Sequence, residues 1–139
     1  MNILVNFIGL MVFFCMLPAF SQTMDLPTCE QMVIGLKKQF PIQIDAVTQR
    51  VNAVCARGWT KTALVQIFDE VKSEQSAETW SQVLKDPEKN KLVIRMQCQP
   101  NGFGKMIKIA DVGYNLKING VDMGQFQITE KICLSLTDK

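Results

Sequence analysis

No histidine occurs anywhere in the 139 residues. That absence removes the commonest general base and the commonest metal ligand, and it excludes Ser–His and Cys–His nucleophilic mechanisms. No Cys-x-x-Cys pair is present, which argues against a thioredoxin-like redox centre and against zinc held by close ligand pairs. Charge of either sign is hardly in excess. Fifteen Lys and Arg stand against 13 Asp and Glu, for a formal net charge of +2, interspersed and without a basic block. Nucleic-acid binding is therefore not expected, and attraction to a membrane surface is weak. Nothing in the pattern asks for a metal or an organic cofactor. No Asn-x-Ser/Thr site follows residue 21, which favours a bacterial over a eukaryotic secretory route.

What is present begins with an apolar leader. Residues 1–21 carry no Lys, Arg, Asp or Glu, and residues 3–17 are almost all aliphatic or aromatic before Pro18. Ala19-Phe20-Ser21 sets small residues at the −3 and −1 positions of a cut before Gln22, the mark of a secretory signal despite the missing n-region cation. The stretch reaches the lower length limit for a membrane anchor, but the proline and the cut site favour cleavage. Cys15 leaves with the leader, because Val12-Phe13-Phe14 is too bulky for a lipoprotein cleavage site. The expectation is a signal peptide over 1–21 and a single domain over 22–139, in the periplasm or outside the cell. Membrane contact would occur only through the leader before cleavage.

The mature chain divides by periodicity. Thr28 and Gln31 fit a capping box, and Cys29, Met32, Val33, Leu36 and Phe40 recur at helical spacing up to Pro41. Ile44, Val47, Val51, Val54 and Cys55 make a second such stripe, and Leu64, Ile67, Phe68 and Val71 a third after Thr60. Ser76 caps a short fourth helix carrying Trp80, Val83 and Leu84, stopped by Asp86-Pro87. Beyond Pro87 the period is two. Leu92, Ile94, Met96 and Cys98 alternate with Val93, Arg95, Gln97 and Gln99 as in a half-buried strand. A phase change at Ile109-Ala110 predicts a bulge, Asn119-Gly120 a two-residue hairpin turn, and Gly124 a second phase reset. The hairpin would pair Ile118 with Val121 and Leu116 with Met123. The predicted fold is α+β: three or four N-terminal helices (22–87) on one face of a small antiparallel meander of three or four strands (88–139).

Four cysteines outside the leader allow three complete pairings. If Pro41 turns the chain, two antiparallel helices bring Cys29 beside Cys55. Cys98 and Cys133 then come to the same end of the sheet, at the ends of the first and third strands. Structural bridges of this kind explain the cysteines without any redox role.

Candidate functional residues are few. Ser73 and Ser81 sit on no nucleophile motif, and Asp69-Glu70, the densest acidic pair, lies off the third apolar stripe and reads as solvated. Asp111, beside the predicted bulge, would serve a hydrolase only with a second carboxylate nearby in a cleft. No catalytic residue is assigned. The loop at Asn101, Phe103 and Lys105 is the candidate binding element, with Phe103 between Gly102 and Gly104 either presented to a partner or folded back over the sheet. Lys105 leads into a strand, so a phosphate cradle is not expected. Trp59 and Trp80 read as packing residues. The expected function is that of a small exported, non-catalytic protein that binds another envelope or secreted protein: an inhibitor, an immunity protein or a secretion-system component. The alternative is a small-molecule or lipid carrier whose cavity would be lined by Met106, Tyr114, Leu116 and Phe126.

Overall fold

The computed structural model describes residues 23–137. The predicted leader and its cleavage site lie outside them. Along the chain run α1 (Leu26–Lys37), β1 (Ile42–Gln43), β2 (Thr48–Arg57), β3 (Ala63–Val71), α2 (Ala77–Lys85), α3 (Pro87–Gln97), a 3-10 turn (Met106–Lys108), β4 (Asp111–Ile118), β5 (Val121–Ile128) and α4 (Glu130–Thr137). The five strands form one sheet in chain order. Neighbours are antiparallel except β3 and β4, which are parallel. The fold is thus α+β, but the sheet is mixed rather than a pure meander, and helices also occur in the C-terminal half. A parallel pair needs a crossover, and α2 with α3 supplies it. No helix among the described residues is long and apolar enough to cross a membrane.

Three segments adopt a different structure from the one their apolar spacing suggests. The second stripe is strand β2, not a helix. Its register against β3 slips between Arg50 and Asn52, where Val51 is the extra residue of a bulge. Inward positions therefore run Thr48, Arg50, Ala53, Cys55, whereas Ile44, Val47 and Val54 of the predicted stripe are exposed, so its helical spacing joins outward valines to one inward cysteine across the bulge. The third stripe is the central strand β3. Ala63, Leu64 and Val65 are all buried, so the alternation is masked at the start of the strand and visible only from Val65 onward. Conversely, the stretch around Leu92 to Gln97 is helix α3. Asp86 stops α2 and caps α3 by accepting from the Glu88 amide at 3.0 Å, and Pro87 takes the first helical position. Lys, Leu, Arg, Met and Gln are strong helix formers, and here propensity overrides the alternation.

Other signals act where the sequence places them. Ser76 caps α2, while α1 is capped by Asp25, three residues ahead of Thr28, leaving Pro27 in the first turn where its missing N–H is harmless. Asn119 and Gly120 both have positive φ (51° and 82°), as a type I′ turn requires, and Ile118 faces Val121. Leu116 does not face Met123 alone. It lies opposite a bulge at Met123-Gly124, where Gly124 has φ 97°. The phase change at Ile109-Ala110 is the end of the 3-10 turn, not a strand bulge.

The core lies between the sheet and the helices. Val65, Ile67, Val112 and Ile128 are fully enclosed, and Cys29 and Val33 of α1 join them. The opposite sheet face, bearing Gln66, Glu70, Asn115 and Lys117, is left largely to solvent. The disulfides are Cys29–Cys55 and Cys98–Cys133. The geometric routes to them differ from those deduced: the first pins α1 to strand β2, and the second joins the end of α3 to α4. Their chain separations of 26 and 35 residues give entropic contributions of about 3.5 and about 3.8 kcal/mol. Replacing either pair by serine should therefore lower the unfolding free energy by about 3.5 kcal/mol in urea titrations. A loss below about 1 kcal/mol would mean that packing alone holds that helix.

Candidate binding groove

The inward row of the sheet carries one carboxylate where apolar residues are expected. Asp69 of β3 is only 2% exposed, contrary to its reading as a solvated acid; Glu70, its neighbour, is exposed. Arg50, across the β2–β3 pair, donates from Nε to Oδ1 at 2.9 Å and from Nη2 to Oδ2 at 3.2 Å. The Tyr114 hydroxyl of β4 donates to Oδ2 at 2.8 Å. The bulge at Val51 is what turns Arg50 inward. Burial first, then the charge and hydrogen bond of Asp69, push the Tyr114 phenol well above its ordinary pKa, so it stays a donor at any physiological pH.

The loop after α3 completes this floor. Phe103 is 4% exposed. Its ring lies 5.6 Å from that of Tyr114 and 5.0 Å beneath the Arg50 guanidinium. Its flanking glycines explain the inward turn. A Cβ on Gly102 would come within 2.7 Å of the Gln97 carbonyl oxygen, and one on Gly104 within 2.6 Å of that of Cys98. The loop is folded hard onto the end of α3, and the Phe103 amide donates to Gln97 at 2.7 Å. Phe103 is thus a support for the floor and not an exposed anchor. Of the other two loop residues, Asn101 stands at the mouth of the groove described next, whereas Lys105 lies beside a separate shallow depression with Met106.

Above Arg50, Asp69 and Tyr114 opens a trough of about 530 Å³. One wall is helical, with Trp80 and Leu84 of α2 and Leu92, Val93 and Met96 of α3; the other rises from the β1–β2 corner at Ile44. Trp80 is fixed by donating from Nε1 to Ser73 Oγ at 2.8 Å. Large apolar surface remains uncovered there: Ile44 is 46%, Leu92 51% and Met96 61% exposed. Of the four residues expected to line a carrier cavity, Tyr114 and Leu116 reach this trough; Phe126 is buried in the core and Met106 faces elsewhere. The sequence reading missed Leu92 and Met96 as site residues because it placed them on the buried face of a strand. Asp69 reads as solvated on a helical count, and only the strand count of two from Val65 and Ile67 turns it inward.

Asp111 is a clamp. It is fully buried and accepts from the amides of Trp59 and Thr60 at 2.6 Å each, from the Lys61 amide at 3.1 Å and from the Thr60 hydroxyl at 2.5 Å. Burial alone would raise its pKa. The Thr60 hydroxyl and the Thr60, Lys61 and Trp59 amides outweigh that and hold it below the usual carboxylate range. Asp111 therefore grips the β2–β3 loop through Trp59, Thr60 and Lys61. Among the described residues, no group of three or more His, Cys, Asp or Glu is placed to hold a metal.

No family model matches the chain, and no curated protein matches it in sequence. A solved structure shares its fold. A candidate secreted protein of Pseudomonas aeruginosa superposes with a TM-score of 0.51 at 9% identity, over 78% of this chain and 91% of that one. The pilotin EpsS of the Vibrio vulnificus type 2 secretion system gives 0.41 at 11% identity, over 74% and 86%. At 9% identity the likeness to the Pseudomonas aeruginosa protein concerns the fold alone. The two disulfides fit an oxidising, extracytoplasmic compartment.

Two measurements check this geometry. Arg50→Met strands the buried Asp69 charge and should cost about 3 kcal/mol, the low end for a broken buried pair because Arg50 is partly exposed; an unchanged urea midpoint would refute the pairing. Asp111→Asn should cost about 2 kcal/mol at pH 7. Because the folded pKa of Asp111 is depressed, its ionised form contributes full stability above the unfolded value near about 3.9, and that contribution is lost as pH falls toward the folded pKa. The gap between wild type and Asp111→Asn should narrow below about pH 4; a constant gap would show that the carboxylate charge plays no part.

Proposed function

We propose that this chain is an exported, disulfide-stapled protein that performs no chemistry and acts by binding another envelope or secreted protein in the trough between α3 and the β1–β2 corner. The observation that carries the reading is the concentration of half-exposed Ile44, Leu92 and Met96 around one concavity with a rigid, fully hydrogen-bonded floor. Monomeric proteins seldom leave such a contiguous apolar patch in water without a use for it. The inhibitor, immunity and secretion-component roles all use such a surface.

A carrier of small apolar molecules is the second reading, favoured by one observation: the trough volume falls within the range of small-molecule sites. Affinity capture from envelope extract of the producing organism separates the two. With Leu92→Glu and Met96→Glu together, recovery of a specific protein partner should fall at least about tenfold, while stability stays within about 0.5 kcal/mol because both side chains are exposed. Equal recovery by wild type and variant would move the interface off this trough. A small molecule in native mass spectra, with no protein partner, would install the carrier instead.

A further inference from the structure

Resting on the trough as the binding surface, we infer that its occupant is an amphipathic α-helix of the partner protein, lying antiparallel to α3. The helical wall is a single stripe. Lys89, Leu92, Val93, Met96 and Gln97 line the trough at spacings of i, i+3, i+4, i+7 and i+8, one face of α3. At 1.5 Å per residue this stripe is about 12 Å long, which matches two turns of a second helix carrying three or four apolar side chains.

The backbone chemistry of the walls selects among occupants. They are made of side chains, and the nearby edge strand β1 is only two residues long. An extended peptide would bury its own N–H and C=O groups against Leu92, Met96 and Trp80 without partners, at a cost for each. A helix satisfies those groups internally. An acyl chain would also avoid the penalty, but the half-exposed Ile44, Leu92 and Met96 would leave one side of the chain in water.

The two ends of the trough set the direction. Lys89, at the start of α3, is exposed and has no ion-pair partner among the described residues. Its ammonium suits the partial negative charge and free carbonyls at a helix C-terminus. At the other end stand the side-chain amides of Gln97 and Asn101, whose oxygens can accept from the unpaired N–H groups at a helix N-terminus. The charge at the floor is already spent, since Arg50 is paired with Asp69, so specificity resides at the ends.

Photo-cross-linking in cells that produce the protein tests this directly. Full chains carry p-benzoylphenylalanine at Ile44, Leu92 or Met96, with Ile34 on the exposed side of α1 as the control position, and the adducts are mapped by mass spectrometry. The expected result is one partner segment whose cross-linked residues are spaced by three, four or seven, with the Met96 adduct N-terminal to the Leu92 adduct. Lys89→Glu should lower the Leu92 cross-link yield about fivefold. Adducts at every second residue, or in the opposite order, would overturn the antiparallel helix and leave the protein-binding reading standing. Adducts to lipid, or no adduct beyond the Ile34 background, would overturn both.

Discussion

The buried carboxylate of Asp69 organises the inner face of this molecule. Asp69 sits in the middle of the inner sheet face, where its isolated charge would be prohibitive, and it is tolerated only because Arg50 and Tyr114 reach it from the two neighbouring strands. That requirement propagates. Arg50 can point inward only because β2 bulges at Val51. Phe103 must fill the space under the guanidinium, and Gly102 and Gly104 must be glycine for the loop to approach α3 closely enough. Above this network the floor is polar and hydrogen-bonded while the walls are apolar and partly exposed.

The ends of the sheet are held by a different device. At one end the buried Asp111 gathers three main-chain amides and the Thr60 hydroxyl from the β2–β3 loop. At the other, Asn119 does more than make a turn. Its carboxamide accepts from the Ser73 amide and donates to the Ser73 and Gln75 carbonyls, tying the β4–β5 hairpin to the chain as it leaves β3. The parallel β3–β4 pair is thus clasped at both ends by side chains that take over backbone hydrogen bonds lost where strands stop. Disulfides then fasten α1 and α4 to a scaffold whose single core is modest.

Apolar periodicity misled wherever a local irregularity changed the count. In β2 and the corner before it, exposed Ile44, Val47 and Val54 fell at helical spacing with the bulged Val51 and the inward Cys55, so residues from different faces read as one stripe. In β3, burial of both Leu64 and Val65 masked the alternation at the start of the strand. In α3, a run of six residues alternated by chance while its composition favoured helix. Turn and cap chemistry was more dependable. Ser76, the Asp86-Pro87 break and Asn119-Gly120 act through steric and hydrogen-bonding rules that involve only their neighbours. The groove followed the weaker signals: Leu92 and Met96 could be recognised as uncovered only once α3 was known to be a helix.

By itself the sequence determined the α+β class, the lack of histidine chemistry, the near-neutral surface and the hairpin at Asn119, because each depends on composition or on a few adjacent residues. Tertiary structure alone decided which strands pair in parallel, which way Phe103 turns, and that Asp69 is buried rather than solvated. Those outcomes turn on contacts between residues far apart in the chain. Arg50, Asp69 and Tyr114 span 64 positions from first to last, and nothing at any one of them announces the other two.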